Sequence, residues 1–152
     1  MLGMILFLAA CSSRMRGEST TVCTNAPSTL GLVGETTVTI EGMDETIVTW
    51  TERTVMNRDI YNQLWQGVTP TDEDIREWFD GPMNNTGMQG VYWVLVSVDA
   101  NTVVTDYIYY YEQISERDLR SIWATANSIS EITLTSAIAG LEELGNATCE
   151  ID

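Results

Sequence analysis

The sequence contains no histidine and no lysine, and its seven basic residues are all arginines. Without histidine, a Ser-His or Cys-His catalytic pair and a histidine metal ligand are excluded. Without lysine, Schiff-base chemistry and a Walker-type phosphate loop are excluded. Any general acid or base would have to be a carboxylate. We therefore assign no catalytic residue, no metal site and no cofactor, and we expect a protein that is not an enzyme.

Basic residues are also few compared with acidic ones, which number 22 and give a formal net charge of −15. A surface of this charge repels nucleic acid, so we expect no nucleic-acid partner. It would attract a basic partner, although scattered carboxylates also serve solubility alone. The 152 residues, 44% of them hydrophobic, suffice for one folded domain with a single core.

The N-terminal stretch carries no charge over its first ten residues and closes with Leu8-Ala9-Ala10-Cys11, the pattern of a bacterial lipobox. Ten residues are too few to span a bilayer, which requires about 20. A diacylglycerol on the Cys11 thiol would anchor the protein stably, because it supplies two acyl chains. We predict a signal peptide over 1–10, a flexible tether over 11–19 and a single domain over 20–152. The alternative is a short buried helix with Cys11 in the core.

Cysteine is scarce as well, with three residues in the whole chain. Lipidation of Cys11 would place the protein in the cell envelope, outside the cytoplasm, where disulfides persist. Cys23 and Cys149 would then be left as a pair. Their bridge would close nearly the whole domain into a loop. By reducing the entropy of the unfolded chain, it would stabilise the fold by about 4 to 5 kcal/mol. In a cytosolic protein both would instead be free thiols.

Alternation of apolar and polar residues predicts two β-hairpins. The first joins a strand over 36–40 to one over 45–55 through a turn at 42–44, and the second joins Val91–Val98 to a strand over 102–111. Residues 20–24 are also β-prone. The closing segment 148–151 could add an edge strand beside them if the disulfide forms.

Three helices are predicted from their capping residues. Thr71 and Asp74 form one capping box, Ser115 and Asp118 form a second, and a third helix runs from about Thr135 to a terminal glycine, Gly145. The predicted fold is therefore α+β: an antiparallel sheet built from two hairpins, covered by about three helices, in a single domain.

Aromatic residues on the predicted strands form the best candidate for a ligand-binding face. The set comprises Trp50, Trp93, Tyr107, Tyr109 and Tyr111. Such rings on a sheet stack on sugars or apolar ligands, but the same pattern is produced by a sheet face that helices simply cover. Asp106 points to the opposite face and is the only acid that we expect to be partly buried.

A family resemblance follows from the same segments. The carrying residues are Gly34–Ile40, Gly90–Tyr92, Val103–Tyr111 and Leu141–Gly145. In this order, after a lipobox, they resemble the YehR-like lipoproteins, the DUF1307 family of bacterial envelope proteins. The resemblance implies an α+β lipoprotein of uncharacterised function and carries over no catalytic residue. The chain departs from that family in composition, since those lipoproteins are rich in lysine.

The sequence thus predicts a monomeric, membrane-anchored, extracytoplasmic lipoprotein that acts as a binding or accessory module for an envelope protein or a small-molecule ligand. Two alternatives stay open. One is a surface-displayed hydrolase that uses a pair of carboxylates. The other is a structural envelope protein that binds a basic partner through its acidic surface, in which case binding should weaken with added salt.

Overall fold

The computed structural model describes residues 17–65, 68–81, 84, 86–122 and 132–152. The predicted α+β class and single domain are confirmed, with six strands and four helices in the described part of the chain. In chain order they are β1 (Glu18–Thr24), β2 (Glu35–Met43), β3 (Thr46–Asn57), α1 (Arg58–Gln63), α2 (Asp72–Asp80), β4 (Val91–Val98), β5 (Thr102–Tyr110), α3 (Glu116–Ile122), α4 (Leu134–Gly145) and β6 (Thr148–Ile151). The predicted signal peptide, Cys11 and most of the tether lie outside the described residues.

All six strands form one antiparallel sheet in the order β4-β5-β3-β2-β1-β6. Both predicted hairpins are present, and the 12-residue strand β3 joins them by pairing with β5. The turn of the first hairpin falls at Asp44 and Glu45, later than predicted, because β2 continues through Gly42 after a register shift. Asp44 adopts the left-handed conformation that this tight turn requires, with φ of 56°.

Alternation along the strands gives the sheet two different faces. The inner face packs against the helices and carries the core, including Val38, Ile40, Trp50, Val103 and Tyr109. Leu119 of α3 and Leu134 and Leu141 of α4 belong to one core cluster, while Tyr61 of α1 and Ile75 and Phe79 of α2 belong to a second. The outer face is the opposite one, and none of the described helices packs on it.

The helix starts follow their sequence signals closely. Thr71 and Asp74 form the predicted capping box of α2. The Ser115 hydroxyl accepts from the Asp118 N–H at 3.2 Å, as expected at the start of α3. The end of α4 differs from the prediction, because Gly145 is still helical and the left-handed residue is Asn146, with φ of 53°. Asparagine tolerates this conformation better than other residues with side chains.

One helix was not predicted. Asn57 caps α1 by accepting from the Asp59 N–H at 2.8 Å, and the guanidinium of Arg58 turns inward. Arg58 donates to the carbonyl of Pro70 at 2.8 Å and pairs with Asp72 at 2.9 Å. The buried arginine therefore ties the start of α1 to Pro70 and Asp72 at the start of α2, and the buried Tyr61 adds apolar packing to this short helix.

The predicted disulfide between Cys23 and Cys149 is present. It joins β1 to β6, which pair antiparallel with these two cysteines directly opposite each other. The predicted edge strand over 148–151 is therefore confirmed. The two ends of the domain are linked covalently across a separation of 126 residues. Among the described residues, no helix is both long enough and apolar enough to cross a membrane.

Candidate functional site

The candidate aromatic set lies on the inner face of the sheet, which is the face that the helices cover. Trp50, Tyr107, Tyr109 and Tyr111 are all buried in the same core cluster. Trp93 is half-buried and meets Phe79 of α2 edge-on, with ring centroids 5.1 Å apart. These rings stabilise the domain, because the helices cover the face on which they lie. In this conformation they do not form a surface for stacking a ligand.

A buried acid was missed among these rings. Glu52 pairs with Tyr107 across the sheet, and only 1% of its surface is exposed. Its carboxylate accepts from the Thr29 N–H at 2.8 Å and from the Thr29 hydroxyl at 2.6 Å. The Thr29 hydroxyl also lies 3.1 Å from that of Tyr109. Glu52 shares a face with Trp50, two residues earlier, and this period of two is the signal that would have placed it inside.

No cation among the described residues lies beside Glu52, and the pKa values of Glu52 and its neighbouring tyrosines are raised. Burial raises the pKa of Glu52, and hydrogen bonds from Thr29 and Ser28 offset part of that rise. Burial is also the main cause that raises the pKa values of Tyr107 and Tyr109, and the Glu52 carboxylate adds to the rise of both. The site therefore favours the neutral form of each group.

The opposite face carries the acid that was predicted to be partly buried. Asp106 is 8% exposed and accepts from Nε and Nη2 of Arg53, both at 2.8 Å. This two-point contact is the strong geometry for an arginine and a carboxylate, and together with charge attraction it raises the pKa of Arg53. Asp106 is therefore partly buried as expected, but it is not alone in this, since Glu52 is buried more deeply.

The outer face offers the exposed aromatic surface that the inner face does not. Tyr92 and Tyr110 are 38% and 39% exposed and meet edge-to-face, with ring centroids 5.8 Å apart. From Tyr92, one row of paired residues crosses the sheet through Ile108, Thr51 and Thr39. A shallow depression of about 290 Å³ lies over the threonines beside Arg53. The face combines rings, methyl groups and hydroxyls and is suited to binding rather than to bond cleavage.

The acidic start of α2, which could in principle attract a divalent cation, is occupied by structural contacts. Asp72 pairs with Arg58, and Asp74 accepts from the Thr71 N–H at 2.8 Å. These hydrogen bonds to Thr71 lower the pKa of Asp74. No group of three or more acidic, cysteine or histidine residues in the described ranges is arranged to hold a metal ion. Helix capping accounts for this segment.

Comparisons with known proteins support the fold alone. No family model and no curated protein sequence matches this chain. The NMR structure of a protein from Streptococcus pneumoniae TIGR4 is 13% identical with a TM-score of 0.56, covering 99% of this chain and 94% of the other. The NMR structure of the Escherichia coli YehR protein is 14% identical with a TM-score of 0.56, covering 90% and 92%. The chain thus has a YehR-like fold.

Proposed function

We propose that this protein is a lipid-anchored binding module of the bacterial cell envelope and a member of the YehR-like lipoproteins. The lipobox at Cys11 supports the anchor, because an apolar run this short is typical of a cleaved signal rather than of a membrane span. The Cys23 to Cys149 disulfide supports an oxidising compartment. The YehR-like fold supports the family.

The observation that carries the binding role is the outer face of the sheet, on which none of the described helices packs. Sheets with one face packed and one face in water usually expose polar residues there, and exposed tyrosines add rigid contact area. Tyr92 and Tyr110 form such an area beside the threonine rows. The outer face, rather than the aromatic set of the inner face, is therefore the candidate for ligand binding.

A carboxylate-based hydrolase is the competing function, and the geometry favours it less. Its acid would have to reach a substrate, whereas Glu52 lies beneath Thr29 with 1% of its surface exposed. Asp106 is engaged on both oxygens by Arg53. The third alternative, recognition of a basic partner through an acidic surface, is compatible with a binding module.

The decisive test of the anchor is lipidation of Cys11 in the native membrane. The wild-type protein should partition into detergent and carry a mass increase of a diacylglycerol with loss of residues 1–10. The variant Cys11→Ala lacks the acceptor thiol and should be released into the soluble fraction. Detergent partitioning and intact mass measure both effects.

The matched control is Ser13→Ala, which alters the tether and keeps the thiol. This variant should stay in the membrane fraction with the same lipid mass as the wild type. An unmodified wild-type chain that still begins with Met1, or a Cys11→Ala variant that partitions like the wild type, would contradict the proposed anchor. Neither result would alter the fold or the outer face.

A further inference from the structure

Strand β4 forms one edge of the sheet, and within the described ranges no strand pairs with its other side. The Tyr110 N–H donates to the Gly90 carbonyl at 2.8 Å, which fixes the phase of the ladder between β4 and β5. Because antiparallel ladders alternate, the backbone groups of Tyr92 and Val94 point toward β5, and those of Trp93 and Leu95 point outward. The edge therefore presents two N–H donors and two carbonyl acceptors.

This edge is bounded at both ends. At the first end, Val91 is occupied, since it donates to the Met88 carbonyl and accepts from the Thr86 hydroxyl at 2.7 Å. At the other end, a register shift between Leu95 and Ser97 interrupts the strand. The free part of the β4 edge is therefore short. It can pair with a few residues of an extended chain but not with a long flat strand.

Two grooves run beside the same edge, between β4 and α2. One, of about 660 Å³, lies between the end of α2 at Asp80 and the start of β4 at Tyr92. The other, of about 430 Å³, lies between Arg76 and Asp80 on α2 and the segment from Leu95 to Val98. Asp80 is exposed and borders both grooves. An open strand edge can add an extended segment of another chain through main-chain hydrogen bonds.

We propose that β4 receives an extended, basic segment of a partner protein, which adds to the sheet as a seventh strand. This inference rests on the proposed binding role and names its partner class. The β4 strand, Val91–Val98, contains no charged residue and no proline, so nothing in it opposes strand addition. The backbone supplies the hydrogen bonds, and the side chains of the flanking elements supply the selectivity.

Charge selects a basic occupant over a second copy of this chain. Asp80 borders both grooves and Glu77 is exposed on the same helix, while Arg76, which lines one groove, lies 3.9 Å from Glu73. On the outer face, Tyr92 and Tyr110 present ring surfaces on which a guanidinium can stack. Two copies would each bring a net charge of −15 to the contact, which opposes pairing of β4 with β4.

The probe is an acetylated and amidated heptapeptide in which valine and arginine alternate. We expect it to bind the folded domain, with fluorescence of the tryptophans and calorimetry as the measurements. A matched peptide of alternating valine and glutamate should not bind. A third peptide, N-methylated on alternate residues of one edge, keeps its charge but loses its donors and should bind about tenfold more weakly.

Two variants test the protein side. Leu95→Pro removes an outward N–H without removing a ladder bond to β5, and it should weaken binding about tenfold. Asp80→Asn removes the charge between the grooves and should weaken binding about twofold to fivefold, with a smaller salt dependence. The control Glu116→Gln removes an exposed charge from α3 and should leave the affinity unchanged.

The proposal is overturned if the basic peptide fails to bind, if the acidic peptide binds equally well, or if N-methylation has no effect. The peptide comparison stays decisive if Leu95→Pro does not fold. A concentration-dependent dimer that Leu95→Pro or the basic peptide disrupts would assign the edge to a second copy and overturn the basic occupant. These results do not depend on lipidation of Cys11, so the anchor and the docking edge fail separately.

Discussion

The inner and outer faces of the sheet hold acids in opposite environments, although the residues are neighbours in sequence. Glu52 and Arg53 are consecutive in β3, and Asp106 and Tyr107 are consecutive in β5. Pairing sets Glu52 opposite Tyr107 on the inner face and Arg53 opposite Asp106 on the outer face. One acid is thus held by neutral donors under a loop, and the other is held by a guanidinium.

The difference shows that the burial of an acid and its charge partner are separate properties. Glu52 is the more buried acid, yet its hydrogen-bond donors are the Thr29 N–H and hydroxyl. These neutral groups stabilise a carboxylate less than a cation would. Asp106 meets a cation whose side chain is 53% exposed, so solvent screens their attraction. The inner face therefore depends on packing, and the outer face is free to serve recognition.

The largest expected effect is at the disulfide, which extends the inner face from Cys23 to β6. The double variant Cys23→Ser, Cys149→Ser should lower the free energy of unfolding by up to about 4 to 5 kcal/mol, because the unfolded chain gains the freedom of a long open loop. Urea denaturation with and without reductant measures the loss. Reductant should destabilise the wild type and leave the variant unchanged. Equal stability of oxidised and reduced wild type would contradict this role.

The next effect compares one residue type on the two faces. Ile40 is fully buried on the inner face, whereas Ile108 is half-buried on the outer face. Ile40→Ala should cost about 2 to 5 kcal/mol of stability through lost burial and a cavity. Ile108→Ala should cost no more than about half of that, because water already reaches its side chain. Similar losses in urea denaturation would mean that another part of the protein covers the outer face.

Local sequence signals predicted most of the fold. The limits of β4 and β6 and the caps at Thr71 and Ser115 follow from short-range patterns that the structure reproduces, whereas the disulfide follows from the small number of cysteines. Helix α1 was missed because its support is the buried Arg58, which contacts Pro70 and Asp72 across the chain. No window of a few residues contains that contact.

The candidate site was harder to predict, because alternation reveals that a strand has two faces without revealing which one the helices cover. Tyr109 and Tyr110 carry the same side chain, yet Tyr109 is in the core and Tyr110 is exposed. Alternation separates the two residues onto opposite faces, but the sequence left open whether the face of Tyr109 is exposed or covered by helices. Likewise, the edge position of β4 depends on strand order, which is set by the long-range pairing of β3 with β5.

The smallest expected effect is the change in stability when one acid is replaced by its amide, which should be a gain on the inner face and a loss on the outer face. Glu52→Gln keeps the shape of the side chain, and its amide can accept from the Thr29 N–H and donate to the Thr29 hydroxyl. It should stabilise the domain at neutral pH, since it removes a buried charge. Asp106→Asn instead leaves Arg53 without its charged partner and should cost about 0.2 to 1 kcal/mol, as for other solvent-screened pairs.

The pH dependence separates these two causes. Because burial raises the pKa of Glu52 in the folded state above its ordinary value of 4.5, the folded protein binds this proton more tightly than the unfolded chain does. The wild type should lose stability as the pH rises from about 4.5 through the raised pKa. Glu52→Gln should lack that loss, so its gain in stability over the wild type should grow with pH and then level off.

Exposed Glu41→Gln, on the outer face, controls for the removal of one negative charge. An advantage of Glu52→Gln that is independent of pH, or matched by Glu41→Gln, would show that the buried carboxyl does not titrate within the folded core.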